Sequence, residues 1–204
     1  IPVIVPTSME DNYKITPATL ESYITPKSKL FLFSSPCNPS GSVYTKDELE
    51  GLAVVFRKNP GIYIISDEIY EYINFIGKHE SIAQFDELKD RIIIINGLSK
   101  GFAMTGYRLG YIAASVPVAK ACEKLQGQFT SGTNSITQKA AVVALTTDLK
   151  PSMEMTQEFA RRRERVKELI ATIPGWKCAQ PDGAFYVFPE VDYYFGKSDG
   201  ENNI

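Results

Sequence analysis

Three short apolar runs, Leu30-Phe31-Leu32-Phe33, Ile62-Tyr63-Ile64-Ile65 and Ile92-Ile93-Ile94-Ile95, each give way to a polar loop. Runs this short, rich in β-branched and aromatic residues and bounded by turn residues, predict buried strands. The stretches between them carry a helical period. Thr16-Pro17 sets a cap before a proline at the first helical position; Leu20, Tyr23 and Ile24 follow on one face and Pro26 stops the run. Thr45 and Glu48 read as a capping box, with Leu49, Leu52, Ala53 and Phe56 behind them and Asn59-Pro60-Gly61 at the end. Ser81 to Leu88 predicts a short third helix. Strand and helix therefore alternate from residue 16 to 96, which indicates the α/β class: a mainly parallel sheet flanked by helices.

Beyond that point Leu109 to Ala114 predicts another strand and Pro117 begins a helix carrying Val118, Cys122 and Leu125. Ser135 to Thr146 predicts a helix rich in alanine and valine and hence well buried. Pro151 opens a long charged helix to about Ile173, with Phe159, Val166, Leu169, Ile170 and Ile173 on its apolar side. Arg161, Arg162, Arg163 and Arg165 read as a solvated face of that helix. Pro174-Gly175 ends it, and short strands are expected at Trp176 to Ala179 and Ala184 to Phe188. The change of pattern places a domain boundary near residue 150, dividing the chain into 1–150 and 151–204. Ile1-Pro2-Val3-Ile4-Val5 starts inside a strand-like run and Asn202-Asn203-Ile204 stops in a polar loop, so a piece of a longer protein is expected.

The loops after the three strand runs hold the candidate chemistry. Ser35-Pro36-Cys37-Asn38-Pro39-Ser40-Gly41 is a proline-stiffened turn in which Asn38 can offer one directed amide, or serve as an ordinary turn residue. Asp67 ends the second run, where a carboxylate needs a positive or hydrogen-bonding partner or else caps the next segment; Tyr70 lies close behind it. Lys100 follows the third run, with Arg108 further on. Desolvation and nearby cations turn a lysine amine into a Schiff-base nucleophile, whereas a lysine in a polar loop is ordinarily solvated and idle. A guanidinium is a planar, permanent partner for phosphate. In open α/β sheets ligands bind outside the carboxyl ends of the strands, which is where Asn38, Asp67 and Lys100 would converge.

Composition narrows the classes. The chain has 204 residues, 44% of them hydrophobic, and a formal net charge of −2, which suits one domain and part of another. No basic stretch interleaved with aromatics points to nucleic acid, and no apolar run nears the roughly 20 residues that span a membrane. Cys37, Cys122 and Cys178 are widely separated and odd in number, as expected of reduced thiols in a cytoplasmic protein. His79, the sole histidine, lies in a polar loop and is expected to be exposed; without paired cysteines, no metal site is expected.

Asn38-Pro39-Ser40-Gly41, Asp67-Glu68-Ile69-Tyr70, Ser99-Lys100 and Gly106-Tyr107-Arg108-Leu109-Gly110-Tyr111 follow one another as in the class I aminotransferases, pyridoxal-phosphate enzymes of the aspartate aminotransferase fold, which the chain resembles. Pro181-Asp182-Gly183-Ala184-Phe185-Tyr186 is similar to the start of that family's small domain. The resemblance covers nearly the whole chain but about half of a full member. It implies that residues 1–150 are part of the large cofactor-binding domain and 151–204 a linking helix and the start of a small α+β domain.

The resemblance also implies roles. Lys100 would hold pyridoxal 5'-phosphate as a Schiff base and, once freed, carry the proton at the substrate's α-carbon. Asp67 would keep the pyridine nitrogen protonated, Tyr70 and Asn38 would hydrogen-bond the phenolic oxygen, Asn38 would approach the substrate carboxylate, and Arg108 would bind the phosphate. The implied reaction is amino-group transfer between an amino acid, aspartate first, and a 2-oxo acid, 2-oxoglutarate first, by a homodimer. A β-lyase of the same fold and an aminotransferase-like sensor domain of a transcription regulator are the alternatives. One position departs from the pattern: where many members carry a phosphate-binding hydroxyl, this chain has Gly97. The family's glycine-rich phosphate loop, its stacking aromatic and its arginine for the substrate carboxylate would lie outside residues 1–204, so this stretch alone is expected to be inactive.

Overall fold

Leu30–Ser34 (β1), Tyr63–Asp67 (β2) and Ile92–Gly97 (β3) lie side by side and parallel in the computed structural model, which describes residues 1–198 and residue 200. Their register sets Ser34 beside Asp67 and Asp67 beside Ile95, so the three strands end in one row. Gly110–Ala114 (β4) closes the sheet antiparallel to β3, with Gly110 opposite Gly97. The sheet is therefore mixed, with parallel strands flanked by helices.

Local signals place the helices of the first half. Pro17–Tyr23 (α1) is capped by the Thr16 hydroxyl, which accepts from the Thr19 N–H at 3.1 Å. Lys46–Lys58 (α2) begins with the capping box: the Glu48 N–H donates to Thr45 Oγ1 and the Thr45 N–H donates to Glu48 Oε2. Arg91 closes the other end of α2, donating to the carbonyls of Phe56, Asn59 and Ile62 at the helix end and its exit. One face of α2 buries Leu49, Leu52, Ala53 and Phe56 against Ile64 and Ile92 of the sheet, with Leu20, Ile82 and Leu88 filling the sides. Each leucine, isoleucine or phenylalanine among them contributes roughly 1.5–3 kcal/mol by leaving water. Because strand side chains alternate, Leu30, Leu32 and Tyr63 fall on the other face and are exposed.

The second half departs further from expectation. Val116–Phe129 (α3), Ser135–Thr146 (α4) and Lys150–Ala171 (α5) form as expected, but α4 is not well buried: of its residues Thr137 and Ala141 are buried, while Val142, Val143 and Leu145 are exposed. Likewise Ile170 of α5 is buried but Val166 and Leu169 are exposed. Arg163 is not on a solvated face; its side chain is only 17% exposed. Ser81 to Leu88 is not one helix but two 3-10 turns, Ile82–Gln84 and Asp86–Arg91, because Phe85 between them is extended and the Ser81 hydroxyl caps Ala83 tightly. The expected strand at Ala184–Phe188 is absent: Ala184 takes a left-handed conformation, and only Gly183 makes a bridge, to Asn74. Lys177–Cys178 (β5) pairs instead with Pro189–Glu190 (β6). The final asparagines lie outside the described residues. Among the described residues no helix is long and apolar enough to cross a membrane.

Candidate functional site

The shared end row of β1, β2 and β3 assembles the site. Asp67 is the last residue of β2, Asn38 sits in the loop leaving β1, and Lys100 follows the end of β3. Since β4 runs antiparallel and starts opposite Gly97, Arg108 reaches the same edge. All four are thus delivered to one edge of the sheet.

The loops are held before any ligand arrives. The Asp67 carboxylate accepts from the Ile69 N–H at 3.1 Å, while the Ser35 N–H donates to the Asp67 carbonyl and the Glu68 N–H to that of Ile95. The chain then turns, with the Ile73 N–H donating to the Tyr70 carbonyl, and buries Tyr70 to 3% exposure. The Asn38 loop is framed by paired backbone bonds, Cys37 N–H to Ser42 and Gly41 N–H to Cys37, and by cis peptides before Pro36 and Pro39. Asn38 itself is exposed at the tip. Arg108 is exposed in a left-handed conformation and donates to the Thr105 carbonyl at 3.1 Å.

Lys100 is half-buried, and its Nζ lies 5.7 Å from the centre of the Tyr70 ring and 5.3 Å from that of Phe185. Both distances are within reach of an ammonium drawn to a π face. The Tyr70 hydroxyl is 2.6 Å from that of Tyr186. Burial and the nearby charge of Asp67 hold the Tyr70 phenol well above its ordinary pKa, so it is protonated.

Phe185 and Tyr186 are the residues that sequence reasoning left out of the site. The signal was present in Pro181-Asp182-Gly183-Ala184-Phe185-Tyr186, but nothing local to it says that it folds back onto residues more than a hundred positions away. It does so through backbone bonds: the Asp182 and Gly183 N–H groups both donate to Gly41, Phe75 donates to Asp182, and Ala184 donates to Ile73. Gly41 is required there twice over. Its φ is +71°, and a Cβ would fall 2.4 Å from Cβ of Pro181.

Gly97 has a similar explanation. A Cβ at this position would lie 2.8 Å from the carbonyl oxygen of Leu109 and 3.0 Å from Cα of Gly110. The β3–β4 approach therefore leaves no room for a hydroxyl-bearing side chain at this position.

Behind the site runs a buried polar network. Glu68 is 4% exposed and accepts from the hydroxyls of Ser66 and Ser81, at 2.9 and 2.7 Å. His79 Nε2 lies 2.9 Å from its other oxygen, and the His79 side chain is 13% exposed, not solvated as expected. The physical reason is Glu68: a buried carboxylate needs partners, and the loop folds back to supply one. Among the described residues Glu68, Glu71 and His79 bring ligand-type atoms within 4.8 Å of one another, but Glu68 is already committed to the hydrogen bonds above.

An amine against aromatic rings, a carboxylate at a strand end, phenol and amide donors and an accessible guanidinium form a donor set suited to a carbonyl-bearing, phosphorylated ring. Comparison with known proteins places the chain in a family. Residues 2–198 match the family model described as aminotransferase class I and II. The chain is 43% identical to the bifunctional aspartate aminotransferase and glutamate/aspartate-prephenate aminotransferase of Petunia hybrida, covering 100% of this chain and 43% of that protein. It is also 43% identical to the aspartate aminotransferase of Bacillus subtilis (strain 168), over 93% of this chain and 49% of the relative. Among solved structures, the aspartate aminotransferase from Rhizobium meliloti superimposes with a TM-score of 0.92 at 36% identity, over 96% of this chain and 49% of its own. The chain thus spans about half the length of the curated relatives it matches. With a family model matched along nearly its whole length and the same fold in a solved relative, the chain belongs to the class I and II aminotransferases.

Proposed function

We propose that this chain is the cofactor-anchoring part of a pyridoxal-phosphate aminotransferase that moves an amino group from L-aspartate to 2-oxoglutarate. The observation that carries the reading is the Lys100 amine, held against the Tyr70 and Phe185 rings at the edge where Asp67 ends β2. The relatives' names support the donor, and those that name prephenate as well add it to the acceptors worth assaying. Residues 1–150 form the part of the large cofactor-binding domain in this reading, and 151–204 the linking helix and start of a small domain. A homodimer and a reducing, cytoplasmic setting belong to the same proposal; three free cysteines support the latter.

The residues present fit the cofactor. Pyridoxal phosphate supplies an electron sink for the carbanion that forms at the substrate's α-carbon. Lys100 would hold the cofactor through its amine and would carry the proton at the substrate's α-carbon, a positioned transfer worth roughly 10²–10⁴-fold. Asp67 would hold the proton on the ring nitrogen. That fixed charge would stabilise the transition state without reorganising. Tyr70 and Asn38 would donate to the anionic ring oxygen, and Arg108 would bind the phosphate as a planar donor. Where Gly97 leaves no hydroxyl, backbone N–H groups and Arg108 would hold the phosphate. A β-lyase would use the same residues, so products decide.

The test is made on the full-length protein. Adding pyridoxal phosphate is expected to produce a near-visible absorbance band that Lys100→Ala abolishes, and aspartate with 2-oxoglutarate is expected to yield oxaloacetate and glutamate. A band that survives in Lys100→Ala sinks the anchor assignment. Release of pyruvate and ammonia moves the reading to a β-lyase.

A further inference from the structure

We infer that Tyr186 is a positioning residue: its hydroxyl donates to the Tyr70 oxygen and thereby aims the Tyr70 O–H at an anionic oxygen of the molecule tethered at Lys100. The inference rests on the proposed function.

Two phenols 2.6 Å apart share one proton along their line. Either Tyr70 donates to Tyr186 and shows a ligand only a lone pair, or Tyr186 donates to Tyr70 and leaves the Tyr70 proton free. Tyr70 is buried, so water is a poor substitute partner. Its ring is fixed edge-on by Phe185 and Tyr186, at 5.3 and 5.7 Å between centroids, so it cannot swing away to choose another. An anionic oxygen beside Lys100 accepts only from a donor and therefore selects the second arrangement. Tyr186 is held ready for it by the backbone bonds that tie residues 182–184 to Gly41, Ile73 and Phe75. In such a chain each hydrogen bond polarises the next, so Tyr186 strengthens a bond it does not itself make.

Tyr186 thus acts through Tyr70 and has a signature that a merely structural tyrosine lacks. A hydrogen bond to an anionic oxygen favours the deprotonated form of the tethered group. Weakening that bond moves upward the pH midpoint at which the bound cofactor's near-visible absorbance changes. In the full-length holoenzyme Tyr186→Phe is expected to raise this midpoint by a few tenths of a pH unit. Tyr70→Phe raises it further, and Tyr186→Phe added to Tyr70→Phe changes nothing more. Replacing Tyr186 with 3-fluorotyrosine, a stronger donor of nearly the same shape, lowers the midpoint and needs no lost contact. An unchanged midpoint in Tyr186→Phe, an equal rise in both backgrounds, or a rise with 3-fluorotyrosine overturns the inference. A band that ignores Lys100→Ala would instead bring down the proposed function, so the two failures are told apart.

Discussion

The guanidinium of Arg163 lies over the ring of Phe75, 4.7 Å from its centroid, and donates to the carbonyl of Pro181 at 3.0 Å. One side chain of α5 thereby grips both the loop after β2 and the segment that carries Phe185 and Tyr186. Arg163→Ala is expected to lower the unfolding free energy by about 1–3 kcal/mol, the range for a charged hydrogen bond and a sheltered cation–π contact. Arg163→Lys recovers only part, since a compact ammonium cannot both stack and reach. Urea unfolding midpoints check this; an unmoved midpoint in the alanine variant means the grip carries no stability.

Restoring a hydroxyl at residue 97 is expected to do harm. The new Cβ of Gly97→Ser would press on the Leu109 carbonyl, a backbone atom that cannot turn aside. Overpacking of this kind costs about 1–3 kcal/mol. Thermal unfolding of Gly97→Ser should show that loss, with no tighter hold on pyridoxal phosphate in a binding titration. A tighter, equally stable variant would refute the steric account.

Phe56 tests the core beneath the sheet. It is 0% exposed and packs against Phe31, 5.3 Å away between ring centroids. Phe56→Ala is expected to cost about 3–5 kcal/mol, transfer and cavity together. Chemical denaturation reads it directly, and a cost under about 1 kcal/mol would contradict the packing described.

Burial pushes the Glu71 carboxyl above the usual carboxylate range, against the opposing pull of His79 and a bond from Asn96, with Glu68 reinforcing the rise. Between the unfolded value and this raised folded value, the native state holds more protons than the unfolded one. Stability therefore falls as pH rises through that window. Glu71→Gln keeps an acceptor for Asn96 and removes the charge, so it is expected to be the more stable protein at pH 8 and to lose its advantage at pH 4. Paired unfolding curves at the two values decide; an advantage confined to acid would reverse the sign and refute the cause.

Much of this fold was legible where the deciding forces are local. Thr45 and Glu48 cap α2 through bonds three residues apart, and the isoleucines of β3 declare a strand without help from elsewhere. What failed depends on distant partners. The alanines and valines of α4 suit a buried helix, yet burial is a property of what lies opposite, and Val142 and Val143 face solvent. Ala184 to Phe188 has strand-like residues, but the bonds to Gly41 and Ile73 bend it into an irregular hook. At the site, the strand-end positions of Asp67 and Lys100 were readable from periodicity and loop composition. His79 was not, because its burial follows from Glu68, whose own burial shows only in three dimensions.

The hook at residues 181–186 sets a practical limit on shortening this protein. It is reached only after α5, yet it provides one aromatic wall beside Lys100 and the hydroxyl partner of Tyr70. An engineered stop anywhere in α5 would leave every strand of the main sheet in place. Such a remnant could keep much of its secondary structure and still hold a lysine stripped of half its shelter.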